Sequence, residues 1–327
     1  MRDVLIIGGG PVGLFGAFYA GLRKMTVTLI DSLPDLGGQL TALYPEKYIY
    51  DMPGFPKVLA RDLVTNMSEQ GLQFGAEVYL DEQCLTLEPI ADGWLLTTAE
   101  RQHAGRTVII TAGVGSFTPR RLGLPEEERF LGKGLYYGVK ERSNFAVPHL
   151  IIVGGGDSAF DWALALHPDA GRTLLVHRRD VFAAHEDTVE QVLASPVEVL
   201  TFREVAALHG EDRLQSVTLK HTKTGEMEEV PADAVSVNIG FVADIGPLKD
   251  WGLDLDGSRI RVNERRETNL PGVFAAGDIA SYEGKLKLIA TGVGEVCTAV
   301  NYAKTRIDPS ASLFPGHTTN MNLPERR

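Results

Sequence analysis

An α/β protein with two nucleotide-binding βαβ cores, the second inserted into the first, is predicted by three observations in the sequence. An apolar run, Val4-Leu5-Ile6-Ile7, leads straight into Gly8-x-Gly10-x-x-Gly13, and a second, Leu150-Ile151-Ile152-Val153, leads into Gly154-x-Gly156-x-x-Ala159. Each has a strand pattern before it, a helix pattern after it and a further strand pattern beyond, which is the context that separates a dinucleotide turn from a chance run of glycines. The third observation is a return: the strand and turn at 270–278, ending Ala275-Ala276-Gly277-Asp278, precede an amphipathic helix over about 293–306. If that helix completes the first core, the fold is two Rossmann-like three-layer domains, 1–113 with 241–327 and, inserted between them, 114–240. The chain then crosses between domains near 112–117 and 239–244.

The first unit reads as strand 4–7, helix 11–24 and strand 26–30 ending at Asp31, with Val12, Phe15, Gly16, Tyr19 and Ala20 forming one apolar or small helix face. The second reads as strand 150–153, helix 160–166 and strand 173–176. Alternating patterns at 94–98, 108–111, 214–220 and 235–238 predict antiparallel strands appended to each unit.

The 327 residues suffice for two domains, and the 44% apolar and 23% charged content is that of a globular chain. No apolar run approaches the roughly 20 residues that span a bilayer. A core strand beginning at Val4 leaves no room for a signal peptide, so the expectation is a cytoplasmic protein without a membrane partner. The net charge of −11, from 43 acidic and 32 basic residues, argues against nucleic acid as a partner. It also requires a local basic patch for any acidic protein partner. Cys84 and Cys297 are the two cysteines, with no C-x-x-C and no metal-ligand spacing, so no metal is expected and packing is the expected role of both.

The two turns lead to strands that end differently. Gly8, Gly10 and Gly13 permit a tight turn, close approach of a pyrophosphate and helix–strand packing, and Asp31 ends the next strand where a carboxylate accepts from ribose hydroxyls. Gly154, Gly156, Asp157 and Ser158 open the second helix, but the strand after it ends in His177-Arg178-Arg179. Guanidinium groups pair with a 2′-phosphate that a carboxylate would repel, so the second site points to NADP(H) over NAD(H). Two dinucleotide sites in one chain are what a flavoprotein reduced by a nicotinamide coenzyme needs.

These motifs, with Gly37-Gly38-Gln39-Leu40 and Ala275-Ala276-Gly277-Asp278, resemble the thioredoxin-reductase-like flavoproteins over essentially the whole chain. Thioredoxin reductases carry a C-x-x-C shortly before the second fingerprint, whereas this chain has Gly134-Leu135-Tyr136-Tyr137-Gly138-Val139-Lys140. Without a dithiol, electrons cannot leave by thiol exchange. The stretch 38–51, containing Leu43-Tyr44-Pro45-Glu46-Lys47, together with Pro315-Gly316-His317-Thr318-Thr319, narrows the likeness to the ferredoxin–NADP reductases of thioredoxin-reductase type. The resemblance implies FAD and NADP(H) as cofactors and a homodimer. It implies that Tyr44 stacks on one face of the isoalloxazine ring and that His317, from the partner subunit's tail, covers the other. It further implies that Asp31, Gly38, Gln39, Cys84 (through its backbone), Phe117, Asp278 and a tail hydroxyl of Thr318 or Thr319 surround FAD. Read from the residues alone, the alternative for Tyr44 is a core tyrosine, and for His317 a histidine in a proline-containing tail. One departure stands out: the family's run often carries a further arginine where this chain has Ala183, so the preference for NADPH over NADH is expected to be weaker.

The function expected is FAD-mediated electron transfer between NADPH, as hydride, and ferredoxin or flavodoxin, one electron at a time. The alternatives are a flavin-dependent reductase of another acceptor, such as a quinone or a thioredoxin-like protein, and a flavin-binding regulatory module without turnover.

Overall fold

The computed structural model describes residues 1–320, and of Ser116, Phe117, Ala243 and Asn320 the backbone only. The expected FAD contact at Phe117 therefore lies outside the described side chains. The chain divides into two compact units. One comprises Met1–Ala42, Lys47–Ser116 and Ala243–Arg327, and the other Leu43–Glu46 and Phe117–Val242. Tyr44, within the short stretch Leu43–Glu46, thus groups with the second unit although the segments on either side of that stretch belong to the first.

In the first unit the strand Arg2–Ile7 pairs in parallel with Val27–Ile30 on one side and with Gln102–Ile110 on the other. The sheet runs in the spatial order Glu77–Tyr79, Val27–Ile30, Arg2–Ile7, Gln102–Ile110, Gly93–Thr98, Cys84–Ile90, and Val273–Ala275 also pairs in parallel with Gln102–Ile110. Side chains alternate between faces along each strand. Leu5 and Ile7 join Ile30, Leu96, Val108, Ile110 and Val273 in one core layer. The opposite face meets the helices Pro11–Leu22 and Ile289–Ile307, which approach closely because Gly16 has no side chain. A Cβ there would lie 2.7 Å from a Val296 methyl carbon and 3.5 Å from Ile6.

The second unit has an all-parallel sheet in the order Leu135–Tyr136, Ala234–Val237, His149–Val153, Arg172–Val176, Glu198–Leu200. Ile151, Val153, Leu174, Val176, Val235 and Val237 face an antiparallel meander of Arg203–Gly210, Leu214–His221 and Met227–Pro231. Leu150, Ile152 and Leu175 face the helix Asp157–Leu166. These are the three layers that the apolar runs predict: strands covered on both faces read as continuous apolar runs rather than alternating ones.

Two expectations need correction. The stretch 235–238 is not an appended antiparallel strand: its first three residues fall in Ala234–Val237, a central parallel strand buried throughout. Likewise 108–111 belongs to the strand Gln102–Ile110, which is antiparallel only toward Gly93–Thr98. In both cases four consecutive buried residues mark burial on two faces, which short-range alternation does not separate from a half-buried strand. Among the described residues no helix is long and apolar enough to cross a membrane.

Candidate functional site

Both glycine turns lie just past the carboxyl end of a central parallel strand, where open α/β sheets bind ligands. In the first, Gly8 has φ +110° and a Cβ there would lie 2.5 Å from the Thr111 carbonyl oxygen, while a Cβ at Gly13 would lie 1.9 Å from the Gly8 oxygen. The fold itself requires glycine at both. Gly10 is different. Its φ of −71° suits any residue, and the one atom near a Cβ would be the Gly38 Cα at 4.0 Å. Neither backbone nor packing demands glycine there, so the space is kept for something outside the chain. It opens at the start of the helix Pro11–Leu22, which has no side-chain cap. Its first-turn N–H groups and positive dipole end are left for an anion.

The rest of the first site closes around this turn. Gly37 donates its N–H to the Gly9 oxygen at 2.9 Å. Gly38, at φ +57°, stands so close that a Cβ would be 3.2 Å from the Gly10 Cα, and the Gln39 amide nitrogen is 3.4 Å from where a Gly113 Cβ would lie. The Asp31 carboxylate accepts from the Gly9 N–H at 2.5 Å and the Leu33 N–H at 2.8 Å. Burial pushes its pKa up, and the amides that bond it only partly offset this. With Ser32 also contributing a backbone hydrogen bond, the two oxygens, which together offer about four acceptor sites, still keep room for a ligand donor.

Behind Asp31 lies an ionic cluster centred on the buried Glu82. Glu82 donates its N–H to the Asp31 carbonyl at 2.9 Å. Its carboxylate takes Thr98 at 2.9 Å, Arg101 at 2.6 Å and His103 at 3.0 Å. Burial pushes the Glu82 pKa up, but the His103 and Thr98 hydrogen bonds and the Arg101 charge outweigh it, leaving a net lowering. The Cys84 thiol is pushed up to about 12, first by burial and then by the Asp31 and Glu82 charges, and Cys297 to about 11 by burial. Both thiols stay protonated at neutral pH, which favours packing over redox chemistry.

The Gly277-Asp278 pair reaches the same turn from the return segment. A Cβ at Gly277 would meet a Val12 methyl carbon at 3.2 Å, and one at Gly292 would lie 3.2 Å from the Gly277 Cα. The Gly277 N–H donates to Glu295 Oε2 at 2.7 Å, and Glu295 Oε1 takes the Tyr282 hydroxyl at 2.5 Å and Lys285 Nζ at 2.6 Å. Asp278, half-buried, makes no side-chain hydrogen bond among the described residues and keeps its acceptors. Glu295 is the residue that sequence reading missed. Its signal was there: it shares the helix face of Gly292, Val296, Ala299, Val300 and Ala303, all buried. A lone carboxylate on a buried face is a question the fold must answer with partners.

The second turn repeats the design. Gly154 has φ +154° and a Cβ there would sit 2.4 Å from the Asn238 oxygen. At Gly156, with φ −106°, a Cβ would meet nothing within 4 Å. The helix Asp157–Leu166 again has no side-chain cap, and Ser158 is exposed in its first turn. Asp157 is committed in part to the chain, accepting from the His185 N–H at 2.9 Å. His177 lies over Gly155, where a Cβ would fall 2.2 Å from its ring. Its Nε2 is 3.2 Å from the Val181 oxygen, and burial lowers its pKa. Neutral and packed, it shapes the turn rather than offering a charge. Arg178 and Arg179 are exposed, with no ion pair among the described residues.

Tyr44 is half-buried just past the short helix Gln39–Leu43. The tail is held where Arg23, at the end of the first helix, donates to the Ser312 oxygen at 2.7 Å. Beyond it the His317 ring meets Phe314 edge-on, with centroids 5.4 Å apart, and His317, Thr318 and Thr319 are exposed.

Residues 2–300 match the model of the pyridine nucleotide-disulphide oxidoreductase family. The chain belongs to that family. Within it, this oxidoreductase is 50% identical over 323 residues to "Ferredoxin–NADP reductase 2" of Shouchella clausii (strain KSM-K16), covering 98% of each chain. It is 51% identical to "Ferredoxin–NADP reductase" of Geobacillus kaustophilus (strain HTA426), covering 98% of this chain and 97% of that one. Among solved structures it is similar to the thioredoxin reductase of Lactococcus lactis in its FR conformation, at 27% identity and a TM-score of 0.76, covering 93% of this chain and 98% of that one. Unlike a dithiol enzyme, this oxidoreductase has no C-x-x-C anywhere in its sequence.

Proposed function

We propose that this oxidoreductase is an FAD-dependent ferredoxin–NADP reductase whose first glycine turn holds FAD and whose second holds NADP(H). The observation that carries the reading is the pair Gly10 and Gly156, each keeping open a space at an uncapped helix start that neither backbone conformation nor packing explains. The residues fit the two dinucleotides. First-turn amides of each helix face a pyrophosphate, and Asp31 keeps lone pairs for ribose hydroxyls. Gln39 and Asp278 border the same space with an amide and an unpaired carboxylate. Gly8, Gly13, Gly38 and Gly154 shape the turns, and Ser158 and Asp157 edge the second. Arg178 and Arg179 offer forked donors to a 2′-phosphate.

The chemistry supplied by a bound flavin is the conversion of a hydride, two electrons at once, into single electrons. For that exchange the chain provides position rather than a proton: no side-chain acid is needed for hydride transfer, and the thiols stay protonated. The Tyr44 ring and the His317 ring frame the flavin, with His317 and Thr318 or Thr319 coming from the tail of a second copy in a homodimer. Exposure of Phe314 and His317 beyond the Arg23 anchor supports this role for the tail. Ferredoxin is the partner, as the names of the relatives suggest, with flavodoxin carrying the same single electrons.

Anaerobic NADPH titration should bleach the yellow flavin absorbance within seconds, and reoxidation should be faster with ferredoxin or flavodoxin than with a quinone or thioredoxin. Bleaching succeeded by transfer only to a quinone would replace the ferredoxin assignment. No bleaching would remove the enzyme reading. Deleting 312–327, or His317→Ala, should leave FAD bound while altering its absorbance and fluorescence; unchanged spectra in both would strip the tail of its role.

A further inference from the structure

Ala183 stands where the run of the resembled family often carries a further arginine, and the structure shows how that position is occupied. The Ala183 N–H donates to the Gly155 oxygen at 2.7 Å and its backbone pairs with Gly156, so residue 183 lies against the turn itself. Another element reaches the same loop. The hairpin between Leu214–His221 and Met227–Pro231 carries Thr222, whose hydroxyl donates to the Arg178 carbonyl oxygen at 3.3 Å. Thr222 also donates its N–H to the Phe202 oxygen at 2.9 Å, and the Arg203 N–H donates to the His177 oxygen at 3.0 Å. These bonds fasten the hairpin turn to the strand end that bears the arginines.

Phe202 sits at φ +53°, an uncommon conformation for an aromatic residue that persists only where surrounding contacts hold it. Its ring carries Lys223, with Nζ 3.5 Å from the ring centroid. Lys223 is exposed and makes no ion pair among the described residues. An aromatic face attracts an ammonium group and restricts its long stem, yet leaves donors free on the solvent side. The cation next in sequence to Thr222, the residue bonded to the Arg178 carbonyl oxygen, is thus held in place without being neutralised.

We propose that Lys223 is a specificity-determining residue that supplies, from the neighbouring hairpin, the positive charge toward the 2′-phosphate of NADP(H) that Ala183 lacks. The proposal rests on the reading of the second turn as the NADP(H) site. Because an ammonium is a single point charge rather than a planar fork, its effect is smaller than that of either arginine.

The probes are adenosine 2′,5′-bisphosphate and adenosine 5′-monophosphate, which differ by the 2′-phosphate alone, titrated calorimetrically into the flavin-loaded protein. Lys223→Met should weaken the bisphosphate about fivefold, the upper end for an exposed ion pair. It should leave the monophosphate and the thermal midpoint unchanged. Lys223→Arg should retain the affinity, and Ala183→Arg added to Lys223→Met should restore it. Equal binding of both probes by the parent protein would overturn the site reading itself. If Arg178→Ala weakens the bisphosphate while Lys223→Met does not, the site reading stands and this proposal falls. A Lys223→Met variant that weakens both probes alike would assign the lysine to structure and overturn the proposal too.

Discussion

The two glycine turns are built alike, each with a strained first glycine, an unneeded middle one and an uncapped helix, but the strands beyond them end in opposite chemistry. The first ends in Asp31, 8% exposed, bonded to its own turn and backed by the cluster around the buried Glu82. The second ends in Arg178 and Arg179, which are exposed and unpaired among the described residues. An enclosed, preorganised acceptor suits a ligand that stays. Exposed cations suit one that arrives by charge and leaves, since surface electrostatics speed encounter more than they prolong residence. On the proposed assignment, one motif serves a resident cofactor at the first turn and an exchanged coenzyme at the second, and burial of the strand end is what distinguishes them.

The largest test of that contrast exchanges the middle glycines. Gly10 has ordinary φ and free space, so Gly10→Val should fold yet emerge colourless, its thermal midpoint close to that of the flavin-free parent. Gly156→Val should remain yellow and lose reduction by NADPH. A fully flavinated Gly10→Val protein would break the assignment of FAD to the first turn.

Next in size is the arginine pair. Replacing Arg178 and Arg179 with Ala should raise the Michaelis constant for NADPH by about tenfold to a hundredfold, the scale of losing charge-assisted hydrogen bonds, with much less effect on NADH. Steady-state kinetics with both coenzymes measure it, and equal losses would deny the arginines any part in reading the 2′-phosphate.

A smaller effect separates the sites by pH. Glu82 lies below its unfolded value of 4.5 in the folded protein. It therefore adds stability that is fully present above that value and is lost as pH falls from there through the folded value. In Glu82→Gln the thermal midpoint should fall near neutral pH, and the difference from the parent should shrink steadily below pH 4.5. A constant difference across that range would show that Glu82 acts by packing alone. The smallest effect belongs to the thiols: Cys84→Ser with Cys297→Ser should leave turnover per bound flavin unchanged, and a loss in the flavinated double variant would reopen a thiol route.

Much of this contrast was legible before the fold was known, because its parts lie in contiguous motifs. Glycine spacing, Asp31 and the His177-Arg178-Arg179 run each carry their chemistry within a few residues. His177 shows the limit of that legibility. In sequence it reads as a third basic group, whereas its ring covers Gly155 and burial lowers its pKa. Glu295 shows another limit, since its three donors come from Gly277, Tyr282 and Lys285 and only the packed helix brings them together.

The sequence by itself determined the two βαβ cores, the acid-versus-arginine difference between them and the absence of a dithiol, because these depend on residue type and short-range spacing. Tertiary structure alone decided that Ala234–Val237 is a central parallel strand, that Tyr44 groups with the second unit, and that Thr222 meets Arg178. Those outcomes depend on which distant segments become neighbours, and pairing partners are set by burial of whole faces that no local pattern encodes.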